Sequence, residues 1–195
     1  MWSLTSYERL MMVSQIDLSR FSSDDFDRGA SRLKEALWIL VRAVFFLPSL
    51  PWPSALRVLL LRLFAARVGK GVAIHPRVNI WFPWRLNIGN HVWLGEEVFI
   101  LNLASVTIES HVCISQRAFL CTGSHDHRKR EFPLITKPIV AHSGCWIAAQ
   151  VFVGPGVEIG PNSVISAGSI VLKDVPPNVV VQGNPAQVVG ARTVN

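Results

Sequence analysis

From Ala141 the chain reads AHSGCW, IAAQVF, VGPGVE, IGPNSV, ISAGSI and VLKDVP. An aliphatic or small residue opens each group of six, and a small or β-branched one stands fifth. The same frame runs upstream as IGNHVW, LGEEVF and ILNLAS from Ile88, then, after a two-residue slip, as IESHVC, ISQRAF and LCTGSH from Ile108. A weaker pair, IHPRVN and IWFPWR, starts at Ile74. A period of six fits neither a helix nor the wider strand spacing of a sandwich or up-and-down barrel. It fits short strands wound as a solenoid, each rung burying its inward residues on the next.

The frame makes specific claims. Ile88, Leu94, Ile100, Ile108, Ile114 and Leu120 should stack inward, as should the fifth positions Val92, Val98, Ala104, Val112, Ala118 and Ser124. Glycine at second positions (Gly89, Gly95, Gly154, Gly160) suits corners where a side chain or a negative φ is awkward.

Before Gly71 the pattern changes. RLKEALWILVRAVFF and ALRVLLLRLFAARV read as helices with basic residues at Arg32, Lys34, Arg42, Arg57, Arg62 and Arg67. An open first rung exposes backbone groups and core side chains, so a helical cap is expected there. An amphipathic patch resting on an anionic membrane surface is the alternative, and one helix pair can serve both ends. Arginines and prolines cut this apolar stretch below the roughly 20 residues a spanning helix needs. The start, MWSLTSYERLMMVSQIDLSRF, lacks a basic region followed by an unbroken apolar run and reads as a flexible tail rather than a signal peptide. The expected organisation is a tail over 1–33, an amphipathic helical cap over 34–70, the solenoid over 71–177 and a C-terminal strand and tail over 178–195. Gly183-Asn184-Pro185 marks a turn from which the last strand folds back over the final coil.

The rhythm stops once. Between the hexads opened by Leu120 and Ala141, residues 126–140 bring HRKR, two prolines and few core residues, so a loop leaves the solenoid there. Loops thrown out of a packed scaffold are where binding and catalysis concentrate.

Composition narrows the chemistry. The 195 residues, half of them hydrophobic, suffice for one main core. Cys113, Cys121 and Cys145 are odd in number and lack ligand spacing, so the chain reads as a cytoplasmic protein with reduced thiols, without a disulfide framework or zinc site. The net charge of +6 favours an anionic partner. Nucleic acid is not expected, because the one tight basic cluster, Arg128-Lys129-Arg130, stands without interleaved aromatics and also reads as a solvated face.

The hexads, TGSHD at 122–126 and the KDVPPN…GNPA ending resemble the hexapeptide-repeat acyltransferases, and most nearly their colanic acid biosynthesis acetyltransferase branch, over about residues 37–189. The resemblance implies an all-β solenoid, a left-handed parallel β-helix with three hexads per triangular coil. It implies acetyl-coenzyme A as donor, no metal, a sugar or glycan acceptor in exopolysaccharide or surface-glycan assembly, and a homotrimer with its cleft between neighbouring helices. A location at the cytoplasmic face of the inner membrane, without a span, accords with it.

It also implies site residues. His125 takes the place of the general base; acyl transfer to a hydroxyl needs such a group, and histidine suits it. His127 is the competitor. Asp126 and Glu131 are candidates to orient the imidazole, and a backbone carbonyl serves as well. Asn102 matches an asparagine that contacts the acceptor, its alternative being a polar corner residue stacked between coils. Ala149 and Ala167 match positions lining the pantetheine arm, or are tight corner packing, and Lys173 matches one near the nucleotide. Gln187 stands where some relatives place an arginine. Trp84, with Trp81, Phe82 and Arg85, offers a sugar-stacking platform, or an edge cover or subunit contact. Other readings stay open: a small acceptor such as an antibiotic or free sugar, a zinc carbonic anhydrase needing three converging histidines, and a non-catalytic scaffold or glycan-binding subunit.

Overall fold

The computed structural model describes residues 15–23 and 26–193; of the expected tail, residues 1–14 lie outside them. Two compact units are present. Residues 28–123 and 136–193 contain the repeats, while residues 15–23, 26–27 and 124–135 form a smaller unit.

In the large unit three strands make each coil of a left-handed parallel β-helix of about six turns. Helix α1 (Arg32–Phe45) and helix α2 (Ser54–Leu63) come first. Then follow β1 (Arg67–Val68), β2 (Ala73–Ile74) and β3 (Asn79–Ile80); β4 (Leu86–Ile88), β5 (Trp93–Leu94) and β6 (Phe99–Leu101); and β7 (Val106–Ile108), β8 (Cys113–Ile114) and β9 (Phe119–Cys121). The loop strands β10 (Gly123–His125) and β11 (Leu134–Thr136) pair with each other. The coils resume with β12 (Ile139–Ala141), β13 (Trp146–Ile147) and β14 (Phe152–Val153), then β15 (Glu158–Ile159), β16 (Val164–Ile165) and β17 (Ile170–Val171). A last hairpin of β18 (Val179–Gly183) and β19 (Ala186–Ala191) folds back antiparallel at the end.

Every third strand stacks in parallel, giving three flat faces: β1-β4-β7-β12-β15, β2-β5-β8-β13-β16-β18 and β3-β6-β9-β14-β17. Ile88 pairs with Ile108, Ile108 with Ala141, and Ala141 with Ile159, so the register runs on despite the intervening loop. All six predicted openings are buried, together with Val92, Val98, Val112 and Ala118. Ala104 and Ser124 depart from expectation: Ala104 is only partly buried and Ser124 is exposed. The corner after the third face is longer than the others, and Asn102 and Thr122 fill its interior instead, both fully buried.

Of the two reasons expected for glycine at the second positions, the excluded side chain holds and the φ does not. Gly89, Gly95, Gly154 and Gly160 do not adopt positive φ; a Cβ on Gly89 would stand 2.5 Å from the Ser110 backbone nitrogen, so close stacking of successive corners is what excludes a side chain. The left-handed residue is the fourth of most hexads, as at His91 (φ 55), His111 (φ 63) and Asn162 (φ 56).

The helices close the first coil by hydrogen bonding as well as by packing. Ile74 N–H donates to Ser54 Oγ (3.0 Å), the Trp38 indole donates to the Ile80 carbonyl (2.9 Å), and Arg77 N–H donates to the Phe46 carbonyl (2.8 Å). Arg57, buried, donates to the carbonyls of Phe45, Trp52, Ile74 and Leu50. Backbone groups that a bare edge would leave open are thereby satisfied. Helix α2 is shorter than the sequence pattern, because Ala65 turns to φ 69 just past its end.

Candidate functional site

The loop unit holds His125. Its Nδ1 stands 2.9 Å from the Phe132 carbonyl oxygen. A carbonyl can only accept, so Nδ1 carries a proton, and in the neutral imidazole that leaves the lone pair on Nε2. The Phe132 ring stacks on the imidazole at 4.4 Å and 6°, and Phe21 meets it at 5.6 Å and 60°. His125 is thus half-buried between two rings, whereas His127 is exposed.

The contact on Nδ1 comes from a backbone carbonyl and not from a carboxylate. Asp126 accepts from the Arg128 N–H (3.1 Å) and lies 4.0 Å from Lys129, and Glu131 pairs with Arg20 at 3.7 Å. Neither position carries the contact on Nδ1 that the sequence reading offered it. That reading also missed the N-terminal segment. Asp17 N–H donates to the Arg130 carbonyl (2.9 Å), its carboxylate lies 3.7 Å from Arg130, and a short 3-10 turn at Leu18–Arg20 leads into Phe21. The Ser19 hydroxyl, with Arg130 and Arg20, holds the Asp17 carboxyl below its usual range. Arg128, Lys129 and Arg130 are exposed. No periodicity advertises this contact, since it joins two aperiodic segments far apart in sequence.

On the large unit, Ala149 lines a corner groove of about 250 Å³ with Glu96, Glu97, Gln116, Arg117 and Gln150. Gly168 N–H donates to the Ala149 carbonyl (2.9 Å), which sets exposed Ala167 on the same corner one coil on; Lys173 is exposed beyond it. Trp93 and Trp146 stand exposed on the second face with Cys113 between them in register. They occupy outward sixth positions of their hexads.

Asn102 is spent on structure. Its Oδ1 accepts from the Phe82 N–H (2.9 Å) and its Nδ2 donates to the Phe82 carbonyl (2.6 Å), a two-point clamp on the coil before. Thr122 repeats the arrangement one coil on, donating to the Leu101 carbonyl and accepting from the Ala104 N–H. Trp84 likewise donates to the Arg28 carbonyl (2.8 Å) and carries Lys34 over its ring at 5.0 Å. The ring is half-buried and lines a pocket of about 120 Å³ with Arg28, Arg42, Trp81 and Phe82; its neighbour Trp81 is 40% exposed.

Two of the three thiols are unsuited to attack. Burial pushes the Cys145 thiol up to about 12 and raises that of Cys113. Among the described residues no group of three or more His, Cys, Asp or Glu converges as a metal site would require.

Comparison with known proteins gives a consistent picture. Residues 142–173 match the family described as bacterial transferase hexapeptide (six repeats). The chain is 46% identical over 176 residues to the Escherichia coli K12 protein named "Putative colanic acid biosynthesis acetyltransferase WcaF", covering 90% of this chain and 97% of that one. A hexapeptide-repeat acetyltransferase from Vibrio cholerae, solved with acetyl-coenzyme A, superposes with a TM-score of 0.76 at 28% identity, over 90% and 97% of the two chains. A galactoside acetyltransferase solved with coenzyme A gives 0.76 at 29%, over 89% and 86%.

Proposed function

This chain belongs to the hexapeptide-repeat acetyltransferases, and from that premise we propose that it transfers an acetyl group from acetyl-coenzyme A to a sugar hydroxyl during exopolysaccharide or surface-glycan assembly. The observation that carries the reading is the fixed imidazole. With Nδ1–H held by the Phe132 carbonyl, Nε2 of His125 is left as a base.

The steps follow from that tautomer. Nε2 takes the acceptor hydroxyl proton as the oxygen attacks the thioester carbonyl. The imidazolium that forms is stabilised by its Nδ1–H bond, and the tetrahedral intermediate collapses to the acetyl ester. The departing coenzyme A thiolate takes the proton from Nε2 and leaves as the thiol. Phe21 and Phe132 shield the ring from water and from rotation. No protein nucleophile takes part, in keeping with the raised thiols of Cys113 and Cys145. Ala149 and Ala167 keep a corner groove open for the pantetheine arm, and exposed Lys173 meets the nucleotide end. The enzyme works as a homotrimer in the cytoplasm, with a peripheral contact to the membrane. Asn102 shapes the acceptor side through its clamp on Phe82.

Coenzyme A thiol release in the presence of nucleotide sugars, lipid-linked oligosaccharides and free sugars tests the reading and ranks the acceptors. No transfer to any sugar, with transfer to an amine or an antibiotic instead, sinks it. A stable and active monomer in sedimentation sinks the trimer.

A further inference from the structure

Helix α1 has two apolar sides. One packs inward through Trp38, Val41, Phe45 and the following Phe46. On the other, Leu33, Leu37, Leu40, Val44 and Leu47 recur at spacings of three and four and stand exposed, Leu33 at 70% and Leu40 at 64%. Helix α2 adds exposed Leu59 and Leu63, the latter at 69%. An amphipathic helix on a globular domain needs one apolar stripe, and a second one facing solvent marks a contact surface.

Charge says what covers it. From residue 32 to residue 70 the chain has seven basic residues (Arg32, Lys34, Arg42, Arg57, Arg62, Arg67, Lys70) and one acidic residue, Glu35. Glu35 is buried and paired with Arg28 at 2.6 Å, while Arg32, Arg62, Arg67 and Lys70 are exposed. The surface of this segment therefore presents apolar side chains and positive charge, with no exposed carboxylate. A second copy docking by the same face would set like charge on like with nothing to pair. An anionic bilayer supplies both complements: acyl chains for the leucines and headgroups for the arginines.

We infer that α1 and α2 seat the enzyme on an anionic lipid surface, with the Leu33–Leu37–Leu40–Val44–Leu47 stripe sunk in the interface and the basic residues against the headgroups. The contact is interfacial; among the described residues no helix is long and apolar enough to cross a membrane. For its purpose, holding the enzyme beside a lipid-carried acceptor, the docking rests on the proposed function. The physics of the contact does not.

The test is co-sedimentation of the full chain with phosphatidylcholine vesicles, with and without phosphatidylglycerol. Wild type should bind the anionic vesicles at least about tenfold more tightly than the neutral ones, and less tightly at high salt. Leu37→Glu with Leu40→Glu should weaken that binding about tenfold or more. Arg32→Glu with Lys70→Glu, which leaves the stripe intact, should weaken it several-fold and flatten the salt dependence. Both variants should keep thiol release with a soluble acceptor, which shows them folded. Anionic vesicles bound no better than neutral ones, or bound equally by wild type and the leucine variant, overturn the inference. So does a leucine variant that binds vesicles normally but sediments as a smaller species, because a second copy then covers the stripe. Vesicle binding without any sugar acetylation leaves the docking standing and removes the proposed function alone.

Discussion

His91 and His111 at a solenoid corner, and His125 in the loop, show one residue type governed by two sets of rules. At the corner the rings stack 5.3 Å apart and nearly parallel, each on a fourth hexad position with left-handed backbone. Their place is dictated by the coil, and the coil below repeats it. His125 has no such counterpart; its own loop supplies the carbonyl and the ring that fix it. Repetition makes a residue structural, and a private environment frees it for chemistry. His125→Ala should therefore lower acetyl transfer by about 10²–10⁴-fold with the fold intact, while His111→Ala should leave turnover within about threefold and touch only the melting temperature. Steady-state thiol release beside circular dichroism checks both. A twofold loss for His125→Ala, or equal losses for the two, erases the distinction.

The same contrast governs what could be read from sequence. Inward positions were legible because each coil states them again: the frame gives Ile88, Ile108, Ala141 and Ile159 as hexad openings, and the three hexads per coil that the resemblance implies set them in one column. Ala104 and Ser124 were misread because the two-residue slip at that corner moves the inward duty to Asn102 and Thr122, a change of geometry that a strict period of six cannot express. Within the loop only the place of His125 was available, through resemblance. The Phe132 carbonyl is backbone, which no side-chain pattern encodes. The pairing of Asp17 with Arg130 joins two segments without rhythm.

Asn102 sharpens the solenoid side of the comparison. Removing its amide by Asn102→Ala takes away the acceptor of the Phe82 N–H and one of the donors to the Phe82 carbonyl, which keeps the Arg85 N–H at 2.9 Å, so the two lost bonds in this buried corner should cost about 1–3 kcal/mol. Thermal unfolding should drop by several degrees. Because the clamp acts on a neighbouring coil, the loss of activity should follow the loss of folded protein, and KM for the sugar should rise only where the corner itself shifts. An unchanged melting temperature together with a large rise in KM would make Asn102 an acceptor ligand and not a clamp.

On the loop side, Asp126→Asn and Glu131→Gln separate a carboxylate-held imidazole from a carbonyl-held one. With the Phe132 carbonyl on Nδ1, each substitution should change turnover by less than about threefold. A carboxylate partner would make the loss far larger, as when a base loses the group that fixes its tautomer. A hundredfold fall for either variant would transfer the orienting role to that residue.

The smallest effect belongs to a hydrogen-bonded carboxylate between coils. Glu109 accepts from the Ser143 hydroxyl and N–H, both at 2.9 Å, and stands 3.1 Å from His142 Nδ1. Burial pushes its carboxyl upward, but the Ser143 and His142 contacts outweigh burial and leave it below its ordinary value of 4.5. A carboxyl depressed in the folded state binds its proton more readily when unfolded. Its stabilisation is therefore fully present above pH 4.5 and is lost as the pH falls through the lower folded value. Glu109→Gln should lower the melting temperature slightly near neutrality, where the stabilisation is fully present, and make its decline below pH 4.5 slightly shallower, so that variant and wild type converge in acid. The group is part-exposed, so the gain in slope should be small and should shrink further in salt. A variant with an unaltered acid slope would mean that the contacts seen at this corner do not favour the charged form. A variant whose slope steepened would reverse the sign assigned to them.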